Sequence, residues 1–175
     1  MKITIIRHFP TEGNLLKRYI GSTDEAIAKV IEGLDYSSMD NGVVFVSPLK
    51  RAIETANYLF PKAQKIAVDN LREMNFGIFE NKNYEELKDN LEYSKWLQSN
   101  CEEPCPNGES KKEFIKRTVS AIEEIKTTYK EMGLDEAVIV AHGGTAMAIG
   151  EALAKPRINY FDVRLDFGKS ITFDI

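Results

Sequence analysis

The chain has 175 residues, 43% hydrophobic and 29% charged, with 27 acidic against 23 basic side chains and a net charge of −4. This composition excludes a disordered chain, a collagen-like repeat and a disulfide-stapled miniprotein, and the length suits a single domain, 1–175, with a sizeable core. The acidic balance leaves no global footprint for nucleic acid, and no apolar run approaches the ~20 residues that span a bilayer.

The first predicted element is a β-branched strand over Ile3–Ile6. The run is broken by Arg7, so it reads as a strand and not as a signal peptide, and the expected compartment is the cytoplasm. A second strand is expected at Gly42–Ser47. A helix over 48–60 follows, with Ser47 as N-cap, Pro48 at the first helical position and a stop at Phe60-Pro61. A weaker strand follows at Ile66–Asp69. The stretch 74–107 holds Phe76, Phe79, Tyr84, Tyr93 and Trp96 with weak periodicity, and reads as an excursion roofing the sheet and its site.

The longest predicted helix spans 111–132. Ser110 and Glu113 form a capping box at its start, Val119, Ile122, Ile125, Tyr129 and Met132 recur on one stripe, and Gly133 ends it. A fourth strand at Ala137–Ala141 leads into a helix from about Gly144 to Ala154, and Ser170–Ile175 closes the chain as a fifth strand. Strands alternating with helices predict an α/β fold, a three-layer sandwich with a mostly parallel central sheet flanked by helices. Ligands bind such sheets beyond the carboxyl ends of the strands.

Cys101 and Cys105 share a short proline-containing segment, and the two histidines are His8 and His142. A zinc site needs about four ligands, so unpaired thiols and no metal are expected. The histidines carry more information. His8 follows the first strand beside Arg7, and His142 follows the fourth ahead of Gly143-Gly144. Ser47 ends the second strand, with Arg51 one turn into the next helix. If these strands are neighbours, two histidines, two arginines and free helix N-terminal amides converge. Arginine forks and helix N-termini match a phosphoryl dianion, and a histidine among them can act as nucleophile. The positive charge around His8 should keep its imidazole neutral.

Here the chain resembles the histidine phosphatase superfamily, also called phosphoglycerate-mutase-like. The family's opening Arg-His-Gly-x-Thr-x-x-Asn stands as Arg7-His8-Phe9-Pro10-Thr11-Glu12-Gly13-Asn14. Its second motif stands as Ser47-Pro48-Leu49-Lys50-Arg51-Ala52-Ile53-Glu54-Thr55-Ala56, its third as Leu71-Arg72-Glu73-Met74-Asn75-Phe76-Gly77-Ile78-Phe79-Glu80. Gly108-Glu109-Ser110 and His142-Gly143-Gly144 complete the order.

The resemblance implies a metal- and cofactor-independent phosphatase acting on a small phosphorylated substrate. His8 would become phosphohistidine. Arg7, Arg51 and His142 would hold the phosphoryl group, and Glu73 would protonate the leaving group and then activate water. Asn14, Thr11 and Gly143 would add contacts near the phosphate. Ser110 would do the same unless the capping box claims it. Phe9 departs from the family's glycine, which changes the packing or narrows the pocket, and the segment between Asn14 and Ser47 is short, which predicts a trimmed first helix. The compact chain is most like the alpha-ribazole phosphatases. The alternatives are a phosphoglycerate mutase, a phosphoprotein or phosphohistidine phosphatase, and a non-catalytic phosphate-binding module.

Overall fold

The computed structural model describes residues 1–134 and 136–175. Its strands are β1 (Lys2–Arg7), β2 (Val43–Val46), β3 (Gln64–Ala67), β4 (Glu136–Ala141) and β5 (Ser170–Asp174), in the sheet order β3-β2-β4-β1-β5. The pairs β1–β4, β2–β4 and β2–β3 are parallel, and β5 runs antiparallel on the β1 edge. Every predicted strand is present. The third starts two residues early because Gln64 already donates to the Gly42 carbonyl at 2.8 Å, and Asp69 belongs to the turn that follows.

Alternation along the strands splits the core into two layers. Ile3, Ile5, Phe45 and Ile139 pack against helices α5 (Lys111–Glu131) and α6 (Gly143–Ala152). Ile6, Val44, Val46, Val138 and Val140 pack on the other face against α2 (Lys50–Leu59). Each such side chain taken fully out of water contributes about 1.5–3 kcal/mol, so the three-layer arrangement follows from the period-two pattern itself.

The helices carry two corrections. Helix α2 begins at Lys50, so Ser47 is not its cap and Pro48 is not its first residue. The amide of Lys50 instead donates to Asp24 at 2.7 Å, a carboxylate from a distant segment set at the positive end of the helix. The capping box of α5 forms, but its buried stripe is Phe114, Thr118, Ala121, Ile122, Ile125 and Tyr129, while Val119 is half-buried and Met132 is 42% exposed. Gly133 ends α5 with φ +69°.

The first helix, α1, is a single turn at Glu12–Leu15. Two short helices, α3 (Tyr84–Leu87) and α4 (Leu91–Gln98), lie in the 74–107 excursion. There Phe79, Leu87, Tyr93 and Trp96 form a separate cluster with Phe114 of α5 and Tyr160. Among the described residues, no helix is long and apolar enough to cross a membrane.

Candidate active site

Strands β2, β4 and β1 lie side by side, so their carboxyl ends bring Ser47, His142 and His8 together. The ladder runs on past the strand ends: His8 N donates to the Ala141 carbonyl at 3.0 Å and Ser47 N to that of Val140 at 3.1 Å. The two imidazole rings lie 5.1 Å apart at 64°.

His8 is buried, and its Nδ1 stands 2.6 Å from the Phe9 carbonyl. A carbonyl only accepts, so Nδ1 carries the proton and Nε2 keeps its lone pair. Burial holds the His8 pKa well below the usual histidine range, with the charges of Arg51 and Arg7 adding to it and the Phe9 carbonyl opposing. The shift runs in the expected direction, toward the neutral imidazole, but burial, not neighbouring charge, is its larger cause. His142 is also lowered by burial first and by Arg51 next. Its Nε2 lies 2.8 Å from Ser47 Oγ, and its Nδ1 is buried without a partner.

Both histidines are neutral when folded and titrate near pH 6.5 when unfolded, so the unfolded chain binds more protons below that pH. Stability should therefore decline as pH drops below about 6.5, by up to about 1.4 kcal/mol per pH unit per histidine, until the folded pKa values are passed. Urea midpoints at pH 7.5, 6.5 and 5.5 check this. The decline should be shallower in His142→Gln, and equal slopes would contradict the neutral state.

Arg51 is fully buried. Its Nη1 donates to Thr23 O at 2.8 Å, and its Nη2 to Gly21 O at 2.8 Å and Ile20 O at 3.3 Å. The loop that presents these carbonyls is gathered by Glu80. That carboxylate accepts from the amides of Gly21, Ser22 and Thr23 at 3.1, 2.9 and 3.3 Å and from Thr23 Oγ1 at 2.7 Å. With its amides turned to Glu80, the loop turns its carbonyls to Arg51. A Cβ at Gly21 would lie 1.8 Å from Met74 O, so this close approach requires glycine. Arg7 donates from Nη1 to Leu165 O at 2.8 Å, and its guanidinium carbon stands 3.7 Å from the centre of the Phe167 ring. The Nε atoms of Arg7 and Arg51 are, like His142 Nδ1, buried without a partner.

Glu73 follows β3 and reaches back to α6. Its carboxylate accepts from Met74 N at 2.9 Å and Gly144 N at 3.1 Å. A Cβ at Gly144 would fall 2.2 Å from Glu73 Oε1, so glycine lets the carboxylate sit there. This corrects one expectation: the Gly144 amide is not free for an anion, because Glu73 takes it. Gly143 is the first residue of α6 and lies against Arg7.

Three other expected contacts are drawn into helix caps. Thr11 Oγ1 accepts from Asn14 N at 3.2 Å while Asn14 Oδ1 accepts from Thr11 N at 3.1 Å. Ser110 Oγ donates to Glu113 at 2.8 Å, so the capping reading of Ser110 is the one that forms. Phe9 has no exposed surface and turns toward Tyr58, with ring centres 5.6 Å apart; its effect is on packing. Motif reading misses Ser47 as the partner of His142, Glu80 as the anchor of the Arg51 loop, and Phe167. The strand-end position of Ser47 and the place of Glu80 at the close of the third motif are the signals the sequence holds for them.

A cavity of about 310 Å³ opens beside Glu73 and Gly144, with Tyr19, Phe76, Trp96, Met147 and Tyr160 among its walls. Among its described lining residues the one cation is Lys111, whose ammonium is paired with Glu102. Cys101 also lines it. Both cysteines are free, and burial pushes Cys101 up to about 11 and Cys105 up to about 12, so both stay thiols at neutral pH. Among the described residues, no group of three or more His, Cys, Asp or Glu side chains is placed to hold a metal ion.

Comparison with known proteins agrees with this fold. A family model described as "Histidine phosphatase superfamily (branch 1)" matches residues 3–169. A curated protein of Hydrogenobacter thermophilus named "Putative phosphoserine phosphatase 2" is 28% identical over 158 residues, covering 85% of this chain and 76% of its own length. The alpha-ribazole phosphatase of Shigella flexneri has the same fold, with a TM-score of 0.76 at 23% identity, covering 100% of this chain and 91% of its own. A phosphoglycerate mutase of Thermus thermophilus aligns with a TM-score of 0.75 at 26% identity, covering 99% and 93%.

Proposed function

Because the chain belongs to the histidine phosphatase superfamily and is a phosphatase, we propose that it hydrolyses a small phosphomonoester through a phosphohistidine on His8. The observation that carries this reading is the set of three buried nitrogens without partners, Arg7 Nε, Arg51 Nε and His142 Nδ1, beside a neutral histidine. Buried donors are costly to leave unpaired, and an anionic phosphoryl group supplies the acceptor each one lacks.

The roles follow. His8 Nε2 attacks phosphorus, and the P–O bond to the leaving alcohol breaks. Glu73 gives that oxygen its proton. Glu73 then takes a proton from water as the water oxygen attacks phosphorus, the P–Nε2 bond breaks with its electron pair returning to His8, and inorganic phosphate leaves with His8 neutral again. Ser47 selects the tautomer of His142: by donating to Nε2 it leaves Nδ1–H to face a phosphoryl oxygen. Asn14 keeps its amide nitrogen to offer the substrate, since its oxygen is held by the cap.

We read 1–175 as one domain whose 74–107 excursion roofs the leaving-group side. For the substrate we favour alpha-ribazole 5′-phosphate. The cavity walls are aromatic, and pairing with Glu102 leaves Lys111 no spare charge for a carboxylate. Phosphoserine and 3-phosphoglycerate both carry a carboxylate on the leaving group; a neutral ring suits the cavity better. The test is kcat/KM across alpha-ribazole 5′-phosphate, O-phosphoserine, 3-phosphoglycerate and a phosphopeptide. The ribazole ester should lead. A tenfold or greater advantage for any of the others would overturn the substrate while leaving the phosphatase in place.

A further inference from the structure

Glu73 lies in a stretch, 72–76, with no helix or strand of its own. A carboxyl group that must reach a leaving oxygen needs its backbone fixed from elsewhere. Arg117 of α5 does this with every N–H it has. Its Nη1 donates to the carbonyls of Asn70 at 3.0 Å and Arg72 at 2.7 Å, and its Nη2 donates to that of Glu73 at 2.9 Å. The other edge of the guanidinium meets Glu109 bidentately, Nε at 2.6 Å and Nη2 at 2.8 Å. Glu109 in turn accepts from Asn75 N at 2.8 Å, and its own amide donates to Asn75 O at 2.9 Å. The chain is thus tied on both sides of Glu73, and the pair joins the start of α5 to the acid-bearing segment.

We propose that Arg117 and Glu109 are positioning residues for the Glu73 carboxyl, so that the pair governs proton delivery to the leaving group and not capture of the phosphoryl group. The five donors explain the choice of arginine, since a lysine ammonium cannot fork across three carbonyls and a carboxylate. Misplacing a reacting group by about 1 Å can cost about 10²-fold in rate. The proposal rests on Glu73 being the general acid.

The discriminating measurement is the leaving-group dependence of kcat/KM in Arg117→Lys and Glu109→Gln. Benzyl phosphate, with a poor leaving group, should lose roughly 10- to 100-fold, and 2,4-dinitrophenyl phosphate, which needs no proton, less than about 3-fold. On a Glu73→Gln background, Arg117→Lys should add less than about 3-fold to either. A purely structural role would instead lower both substrates together along with Tm. An equal loss on both, or full additivity with Glu73→Gln, overturns the proposal, and Glu109→Gln decides it should Arg117→Lys fail to fold. If Glu73→Gln shows leaving-group dependence and the pair variants do not, this inference falls alone. If Glu73→Gln itself shows none, the acid role falls and this inference with it.

Discussion

Replacing His8 with alanine should reduce phosphomonoester hydrolysis by about 10⁴-fold or more, because removal of a nucleophile leaves only binding and electrostatic stabilisation. The geometry states which atom is lost. Nδ1 is committed to the Phe9 carbonyl, so Nε2 is the one ring nitrogen able to attack. Its neutrality follows from burial and the two arginines. A substrate labelled at phosphorus, quenched rapidly in base, should leave label on His8, since a phosphoramidate survives base and is lost in acid. The label should vanish in His8→Ala. In His142→Ala turnover should fall, yet any label that accumulates should still map to His8, because in the proposed mechanism His142 meets phosphoryl oxygen and not phosphorus. Label on His142, or undiminished turnover by His8→Ala, would overturn the mechanism.

Glu73→Gln carries the second large effect, a loss of about 10²–10⁴-fold on alkyl phosphates, the range general acid catalysis supplies. The change is nearly isosteric. A glutamine oxygen can still accept from Gly144 N, where Glu73 now does at 3.1 Å, so the variant should fold. What it cannot do is release a proton to the departing alkoxide. A series of phosphates with leaving-group pKa values from about 4 to 15 separates the proton from the pocket, because phenolates with low pKa leave unaided. The losses should grow with leaving-group pKa when phosphorylation is the slow step. A flat series under that condition would remove Glu73 from the role.

Much of this site is legible in the chain because its parts are tied to strand ends. A β-branched run followed by Arg7-His8, and another followed by His142-Gly143-Gly144, announce both where the strands stop and which side chains stand at the edge. The capping box of Ser110 and Glu113 is similarly local, three residues apart, and forms as read. What escapes is settled across the chain. Ser47 before Pro48 has the local form of a helix cap, but Asp24 takes the helix end and leaves Ser47 to His142. Arg117 sits in an ordinary amphipathic helix, and its carbonyl partners lie 44 to 47 residues away in sequence. Glu80 closes the third motif without a role of its own until the Gly21–Thr23 loop folds over it. The stripe of α5 gains Phe114 because the roof cluster meets the helix near its start, and Ala121 because it faces the main core, neither of which periodicity alone conveys.

The unpartnered nitrogens of Arg7, Arg51 and His142 also set a balance between working and enduring. In the proposed mechanism free phosphate, the product, meets the same three atoms, so it should bind the folded chain and not the unfolded one. At a hundred times its dissociation constant, such a ligand adds about 2.7 kcal/mol to the folded state by mass action. On that mechanism product should act as competitor and preservative at once: in a phosphate-rich surrounding the protein should last longest while it turns over least, and every release of phosphate should return it to its more fragile form.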